Sequence, residues 1–400
     1  MGYVAVRGGG KAIEESLKLL EYERVSSSSA WSTDEIEGTF PELIDQVMGE
    51  ASLYAPRLAA LALKQAQGSP DEAVFLLRAF RSTLERPYVS RPVDTGAMRI
   101  SRRVSAAFKD VPGGQVLGAT RDYSHRLLAF DLETEGVDEL AEKRLELARH
   151  FAKVAEVNEM SADAECGDAA EAMATPSVTL PRVLDYLRAE GLVDRVPDDN
   201  RKPVDATMTP LTFPAPRSVR LQTLARGMTQ AVEALGYAAI RGFGPAHPTV
   251  GELRVGRVDV AVDHPLEEGG PEDAYYLGSV PVTEVESVFM SERGEDSREA
   301  VSAPGANAGE LSLAVGYGCV FGRAETKAIA MSVLDRCLDL GDARYPTEDE
   351  EFVLYHVDGV EATGFISHLK LPHYVTFQSK LSSVRGTREE GKGLADAAAL

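Results

Sequence analysis

The chain has 400 residues, 44% of them apolar, and a formal charge of −21 from 42 Lys and Arg against 63 Asp and Glu. That length supplies two or three domains with substantial cores, and so acidic a surface argues against nucleic-acid binding. No apolar run is long enough to cross a bilayer, no basic-then-apolar leader opens the chain, and Cys166, Cys319 and Cys337 form neither a disulfide framework nor a CxxC metal site; a cytoplasmic protein with reduced thiols is expected.

In chain order, residues 3–6 read as a short strand, followed by the glycine turn Arg7-Gly8-Gly9-Gly10-Lys11 and a helix through Leu20. A glycine turn feeding a helix N-terminus is either an anion site or a plain tight turn. It is no Walker loop, because the spacing fails and Ala12 follows the lysine. Residues 26–29 read as a serine loop. From 40 to 86 the pattern is helical: Leu58, Leu61, Ala62 and Ala66 share one face, and Ala73, Leu76, Leu77, Phe80 and Leu84 form a second stripe. Gly68-Ser69-Pro70 separates the two helices.

The densest basic cluster follows, with Arg99, Arg102, Arg103 and Lys109 leading into Gly113-Gly114-Gln115, then Arg121, His125 and Arg126. Cations beside a glycine turn suit a triphosphate or a phosphonate, and Arg102, Lys109, Gln115 and His125 are the substrate-binding candidates. The competing reading pairs these charges with the chain's many carboxylates. Residues 137–164 read as a long charged helix and 181–190 as a short one closed by Gly191. The proline-rich stretch 196–217 reads as a linker. Ser218 is placed to cap a helix running to Leu235, with Gly236 as its stop.

Residues 252–262 alternate as a half-buried strand should, and 277–289 and 311–320 also read as strands. An acidic insertion near 263–300 includes an exposed loop around 293–300. Residues 325–340 form a helix, and 352–357 read as a further strand. Helices first and strands later imply an α+β fold with a mixed or antiparallel sheet in its C-terminal part. The expected organisation is a mainly helical domain over 1–195, the linker 196–217, an α+β domain over 218–384 and a flexible tail over 385–400. His247 and Glu252, five apart, are candidates for an acid–base pair, with turn and surface roles as the alternative. Gly316-Tyr317-Gly318 admits either a ligand close to the backbone or a crowded strand crossing.

His368 and His373 stand five apart with Pro372 directly before the second. On a straight helix or strand the two rings diverge, so they meet only if the chain bends at Leu371-Pro372. A bent His-x4-His is either two ligands of one metal ion or two ordinary hydrogen-bonded histidines.

The run Glu351-Phe352-Val353-Leu354-Tyr355-His356-Val357-Asp358-Gly359-Val360-Glu361-Ala362-Thr363-Gly364-Phe365, continuing into His368-Leu369-Lys370-Leu371-Pro372-His373-Tyr374, resembles subunit I of the bacterial carbon–phosphorus lyase (phosphonate metabolism) core complex. So do Gly113-Gly114-Gln115-Val116-Leu117-Gly118, Asp122-Tyr123-Ser124-His125-Arg126-Leu127-Leu128, His247-Pro248-Thr249-Val250-Gly251-Glu252-Leu253-Arg254 and Gly316-Tyr317-Gly318. The resemblance implies a transferase subunit that, with its partners, displaces the purine of ATP by an alkylphosphonate to give ribose 1-alkylphosphonate 5-triphosphate, with nucleosidase-like activity alone. It implies zinc on His368 and His373, shared with the radical-SAM subunit J. It also implies subunits G and H and the ATPase-like K and L as further partners, and a homodimer within the complex. The alternative is a non-catalytic scaffold that organises the complex and lends two zinc ligands to a partner's active site.

Overall fold

Pro41, Pro56 and Pro70 each open a helix, where a missing N–H costs nothing and the ring presets φ. In chain order the computed structural model has α1 (Gly9–Arg24), α2 (Thr33–Thr39), α3 (Pro41–Ala51), α4 (Pro56–Gln65), α5 (Pro70–Arg81), β1 (Arg99–Val104), α6 (Val137–Met160), α7 (Val183–Ala189), α8 (Arg217–Arg226) and α9 (Thr229–Ala238). Then come β2 (Thr249–Asp263), β3 (Ala274–Glu292), β4 (Leu311–Phe321), α10 (Glu325–Leu340), α11 (Glu350–His356), α12 (Gly359–Ser367) and α13 (Tyr374–Ala398). The structure describes residues 9–26, 31–160, 180–193, 202–243, 247–264, 266, 273–292 and 311–398.

The four described strands form one antiparallel sheet in the order β1-β2-β3-β4. Successive side chains alternate faces. Leu253, Val255, Val285 and Val320 point to the face covered by α10, where they join Met331, Leu334 and Leu338 in the main core. On α10 even Lys327, Ser332, Asp335 and Arg336 are buried, as expected of a helix enclosed all round. The α+β class and the helical beginning are as the sequence indicates.

Gly316 and Gly318 settle the alternative left open for that motif. A Cβ on Gly316 would lie 1.9 Å from the Ser332 carbonyl oxygen, and one on Gly318 would lie 2.1 Å from that of Ala328. The glycines therefore let α10 lie directly on β4, a crowded crossing and not a ligand cradle.

Several sequence expectations need correction. Residues 352–357 are not a strand: Asp349 accepts the Phe352 N–H at 3.0 Å and caps α11, whose Val353 and Leu354 join the core beside Val357. A short apolar run does not distinguish strand from helix by period. The helix expected over 218–235 breaks at Gly227-Met228 into α8 and α9, and its N-cap is Pro216, not Ser218. Residues 385–398, expected as a tail, continue α13. Within the acidic insertion, residues 274–292 are strand β3, hydrogen-bonded on both sides. The expected strand at 3–6 and the loop at 293–300 lie outside the described residues.

The chain divides into two compact units, Met1–Ser32 with Gly359–Leu400, and Thr33–Asp358. The division does not follow the proline-rich stretch. β1, from the helical half, pairs with β2 along Arg99↔Arg257 to Val104↔Leu253. Ala206, Leu211 and Phe213 of the supposed linker pack against the main core.

Candidate functional site

α12 ends at Ser367, one 3-10 turn covers His368–Lys370, and Leu371 is extended at φ −74°, ψ 157°, as a residue before proline prefers. α13 then starts at Tyr374. This bend brings the two imidazoles together, with ring centres 5.5 Å apart and planes at 62°. Two imidazoles sharing one tetrahedral zinc through Nε2 hold their centres about 5 Å apart.

Each ring is also oriented. His373 Nδ1 lies 2.6 Å from the Leu371 carbonyl oxygen, and His368 Nδ1 contacts that of Phe365. A carbonyl only accepts, so Nδ1 carries the proton and Nε2 is left as a lone-pair donor, the arrangement typical of metal-binding histidine. Both the donor set and its geometry therefore fit a metal. Among the described residues no group of three or more His, Cys, Asp or Glu stands ready to hold an ion. Within the described residues the pair would therefore supply two ligands and no more. Around it Phe365, Ile366, Leu369, Leu371, Tyr374 and Val375 are exposed, Val375 to 86%. Exposed apolar residues clustered in this way are typical of interaction surfaces.

The other candidates are not gathered into one site. Glu252 is 2% exposed, with Oε1 on Arg103 Nε at 2.6 Å and Oε2 accepting the Val183 N–H at 3.1 Å. Both oxygens are committed inside the protein, so it is not positioned as an acid or base. His247 is exposed just before β2 and does not meet it. Arg102 is buried and donates to Glu325 at 2.7 Å, Asp122 at 2.6 Å and the Leu117 carbonyl at 2.5 Å. Arg103 Nη1 holds the Gly113-Gly114 turn through the Pro112 and Gly114 carbonyls, at 2.8 and 3.1 Å. Gln115 Oε1 accepts the Ser105 N–H at 3.2 Å. Arg102 and Arg103 are thus engaged inside the protein, Gln115 is half-buried, and Lys109 and His125 are exposed.

The sheet face opposite α10 carries a charged layer that sequence reasoning missed. Arg254 lies opposite Glu284 across β2 and β3, and Glu252 lies opposite Glu286. Glu284 also accepts Thr95 Oγ1 at 2.6 Å and Tyr317 Oη at 2.8 Å. Arg188 of α7 reaches Glu286 at 2.6 Å. Burial pushes the Glu284 carboxyl up, but Arg254 and Arg182, with hydrogen bonds from Thr95 and Arg254, outweigh it and hold the group below the usual carboxylate value. Burial, then Cys319 and Glu284, push the Tyr317 hydroxyl far up, and burial drives the Cys319 thiol up to about 12. Neither serves as a nucleophile at neutral pH. The available signal was charge at alternate positions, Glu252 and Arg254, then Glu284 and Glu286, in strands otherwise rich in valine.

Comparison with known proteins places this geometry in a family. Residues 2–391 match the model of the bacterial phosphonate metabolism protein PhnI. The chain is 42% identical over 396 residues to a putative C-P lyase subunit protein, HtxH, of Stutzerimonas stutzeri, covering 98% of this chain and 97% of that one. It is 40% identical over 396 residues to the alpha-D-ribose 1-methylphosphonate 5-triphosphate synthase subunit PhnI of Escherichia coli (strain K12), covering 97% and 99%. The protein of the same name from Rhizobium meliloti (strain 1021) is 40% identical over 400 residues, covering 97% and 95%. Similarity of this extent spans both compact units and the histidine bend alike, and the chain belongs to the PhnI family of bacterial phosphonate metabolism proteins.

Proposed function

We propose that the chain is a subunit of a carbon–phosphorus lyase assembly and that His368 and His373 supply two ligands to a zinc ion completed by a partner subunit or the substrate. The observation that carries the reading is the pair of rings 5.5 Å apart, each with Nδ1 on a main-chain carbonyl. Zinc held there supplies a Lewis acid for phosphate or phosphonate oxygens. The chain's own part is to fix both tautomers, present two Nε2 lone pairs and surround them with an apolar rim that excludes water once covered.

The reaction in this reading is displacement of the purine of ATP by an alkylphosphonate, giving ribose 1-alkylphosphonate 5-triphosphate. Cleaving the ribose–purine bond develops positive charge on the sugar, which a phosphonate oxygen or a carboxylate stabilises. Glu252 and Arg102 hold the fold, whereas Lys109, His125 and His247 are accessible enough to meet an anionic substrate. Subunits G, H and J, the ATPase-like K and L and a second copy of the chain are the proposed partners, in the cytoplasm. No helix among the described residues is long and apolar enough to cross a membrane.

The half-complete ligand set also supports the second reading, a scaffold that lends ligands to a partner's active site. The test incubates ATP and methylphosphonate with the full chain, alone and with its partners, and measures free adenine by chromatography. Release by the chain alone supports catalysis here, and release only with partners supports the composite or scaffold reading. Zinc content of the assembly unchanged by His368→Ala with His373→Ala refutes the ligand assignment.

A further inference from the structure

Within the Thr33–Asp358 unit of a chain whose net charge is −21, four arginines crowd together. The last turn of α5 supplies Arg78 and Arg81, the chain after it Arg86, and the last turn of α8 Arg226. Helix ends gather them. Arg78 donates to Glu50 O at 3.0 and 2.8 Å and to Arg226 O at 3.1 Å, and Arg81 Nη1 donates to Ala51 O at 2.5 Å. Those carbonyls close α3 and α8, where the helix dipole concentrates negative charge. Arg226 Nη1 donates to Ala206 O at 2.8 Å.

The carboxylates fall short of the cations. Asp358 takes Arg78 Nη1 at 2.8 and 2.7 Å and lies 3.5 Å from Arg226 Nη2. Asp205 pairs with Arg86, whose Nη2 also donates to Thr207 Oγ1 at 2.8 Å. Arg81 has a carbonyl but no carboxylate among the described residues. Four cations against two carboxylates leave an excess of two positive charges, and the nearby Glu50 and Lys327 add one charge of each sign. Burial first, then Arg226, Arg86 and Arg78, lower Arg81 below the usual guanidinium value, with Asp205 opposing them. Arg78, Arg81 and Arg226 are half-buried and Arg86 is exposed, so a solute can reach the group while partial desolvation strengthens its field.

We propose that this cluster binds a small phosphate-bearing anion through Arg81 and Arg86, with Arg226 adding to the field. A phosphoryl group carries close to two negative charges and accepts the guanidinium fork at two oxygens at once, which matches the uncompensated charge here. The site shares no residue with the histidine pair and does not rest on the zinc reading.

The test is isothermal titration calorimetry of the full-length chain with sodium tripolyphosphate and, separately, with orthophosphate. Wild type is expected to bind tripolyphosphate at one saturable site whose affinity falls as salt rises. Arg81→Gln keeps a donor for the Ala51 carbonyl and should bind at least tenfold more weakly at an unchanged melting midpoint. Asp205→Asn removes the opposing carboxylate and should bind several-fold more tightly, a gain that misfolding does not produce. Arg344→Gln, at an exposed arginine paired with Asp342, should leave binding as it is. Tripolyphosphate at least tenfold tighter than orthophosphate assigns the site to a polyphosphate chain, and equal affinity assigns it to a single phosphoryl group. No saturable binding to wild type, undiminished binding by Arg81→Gln, or an Asp205→Asn chain that binds no tighter than wild type overturns the site.

Discussion

Replacing Gly318 with alanine puts a methyl carbon 2.1 Å from the Ala328 carbonyl oxygen, short of an ordinary 3.4 Å contact by 1.3 Å. Both sides of the clash are main chain, so no side-chain rotation relieves it. Strand β4 and α10 must separate, and α10 carries Ala328, Met331, Leu334 and Leu338, each no more than 1% exposed, into the main core. Overpacking of this kind costs about 3 kcal/mol. Alanine's smaller unfolded-state entropy returns roughly 0.5–1 kcal/mol, leaving a net loss of about 2 kcal/mol. For a unit of this size that lowers the thermal midpoint by roughly 3 °C. Gly49→Ala is the control: it lies in α3 of the same unit with nothing within 4 Å of the new methyl. It should raise stability by about 0.5 kcal/mol. Differential scanning calorimetry of the two variants decides the matter. A G318A midpoint within 1 °C of wild type would falsify the direct strand–helix contact.

Three further outcomes follow from the same geometry. Burial lowers Lys327 from 10.5 to about 8, so between those values the unfolded chain holds a proton that the folded chain has lost. Stability from this group therefore rises as pH increases through that window, by at most about 3 kcal/mol. Urea midpoints of wild type should gain on those of Lys327→Met between pH 7.5 and 10, and parallel curves would refute the lowering of the Lys327 amine by burial. Glu252→Gln leaves Arg103 as an uncompensated buried cation and should cost about 3 kcal/mol. Adenine release normalised to folded protein should stay unchanged, and a selective loss of turnover would restore Glu252 as a catalytic group. His368→Ala or His373→Ala alone should lower zinc in the assembled complex without moving the melting midpoint of the Thr33–Asp358 unit.

Long periodic elements were legible in the residues. The alternation over 252–262 and the helix at 325–340 follow from burial on one side or all round, a pattern that survives over many residues. The seven-residue helix Glu350–His356 was not legible, because Phe352, Val353 and Leu354 favour either structure and only packing of Val353, Leu354 and Val357 decides. The basic cluster shows the same limit. Arg102 meets Glu325, 223 residues away, and Arg103 meets Glu252, 149 residues away, distances across which no local pattern carries information.

The sequence by itself determined the acidic character, the α+β class and the bend at Pro372, since composition, period and proline geometry are local properties. Only the tertiary structure decided which charges are spent inside the protein and which remain for a ligand, because pairing depends on what the fold brings alongside. It likewise decided that the two imidazoles lie 5.5 Å apart with each Nδ1 on a main-chain carbonyl, because the bend alone does not set the ring rotamers.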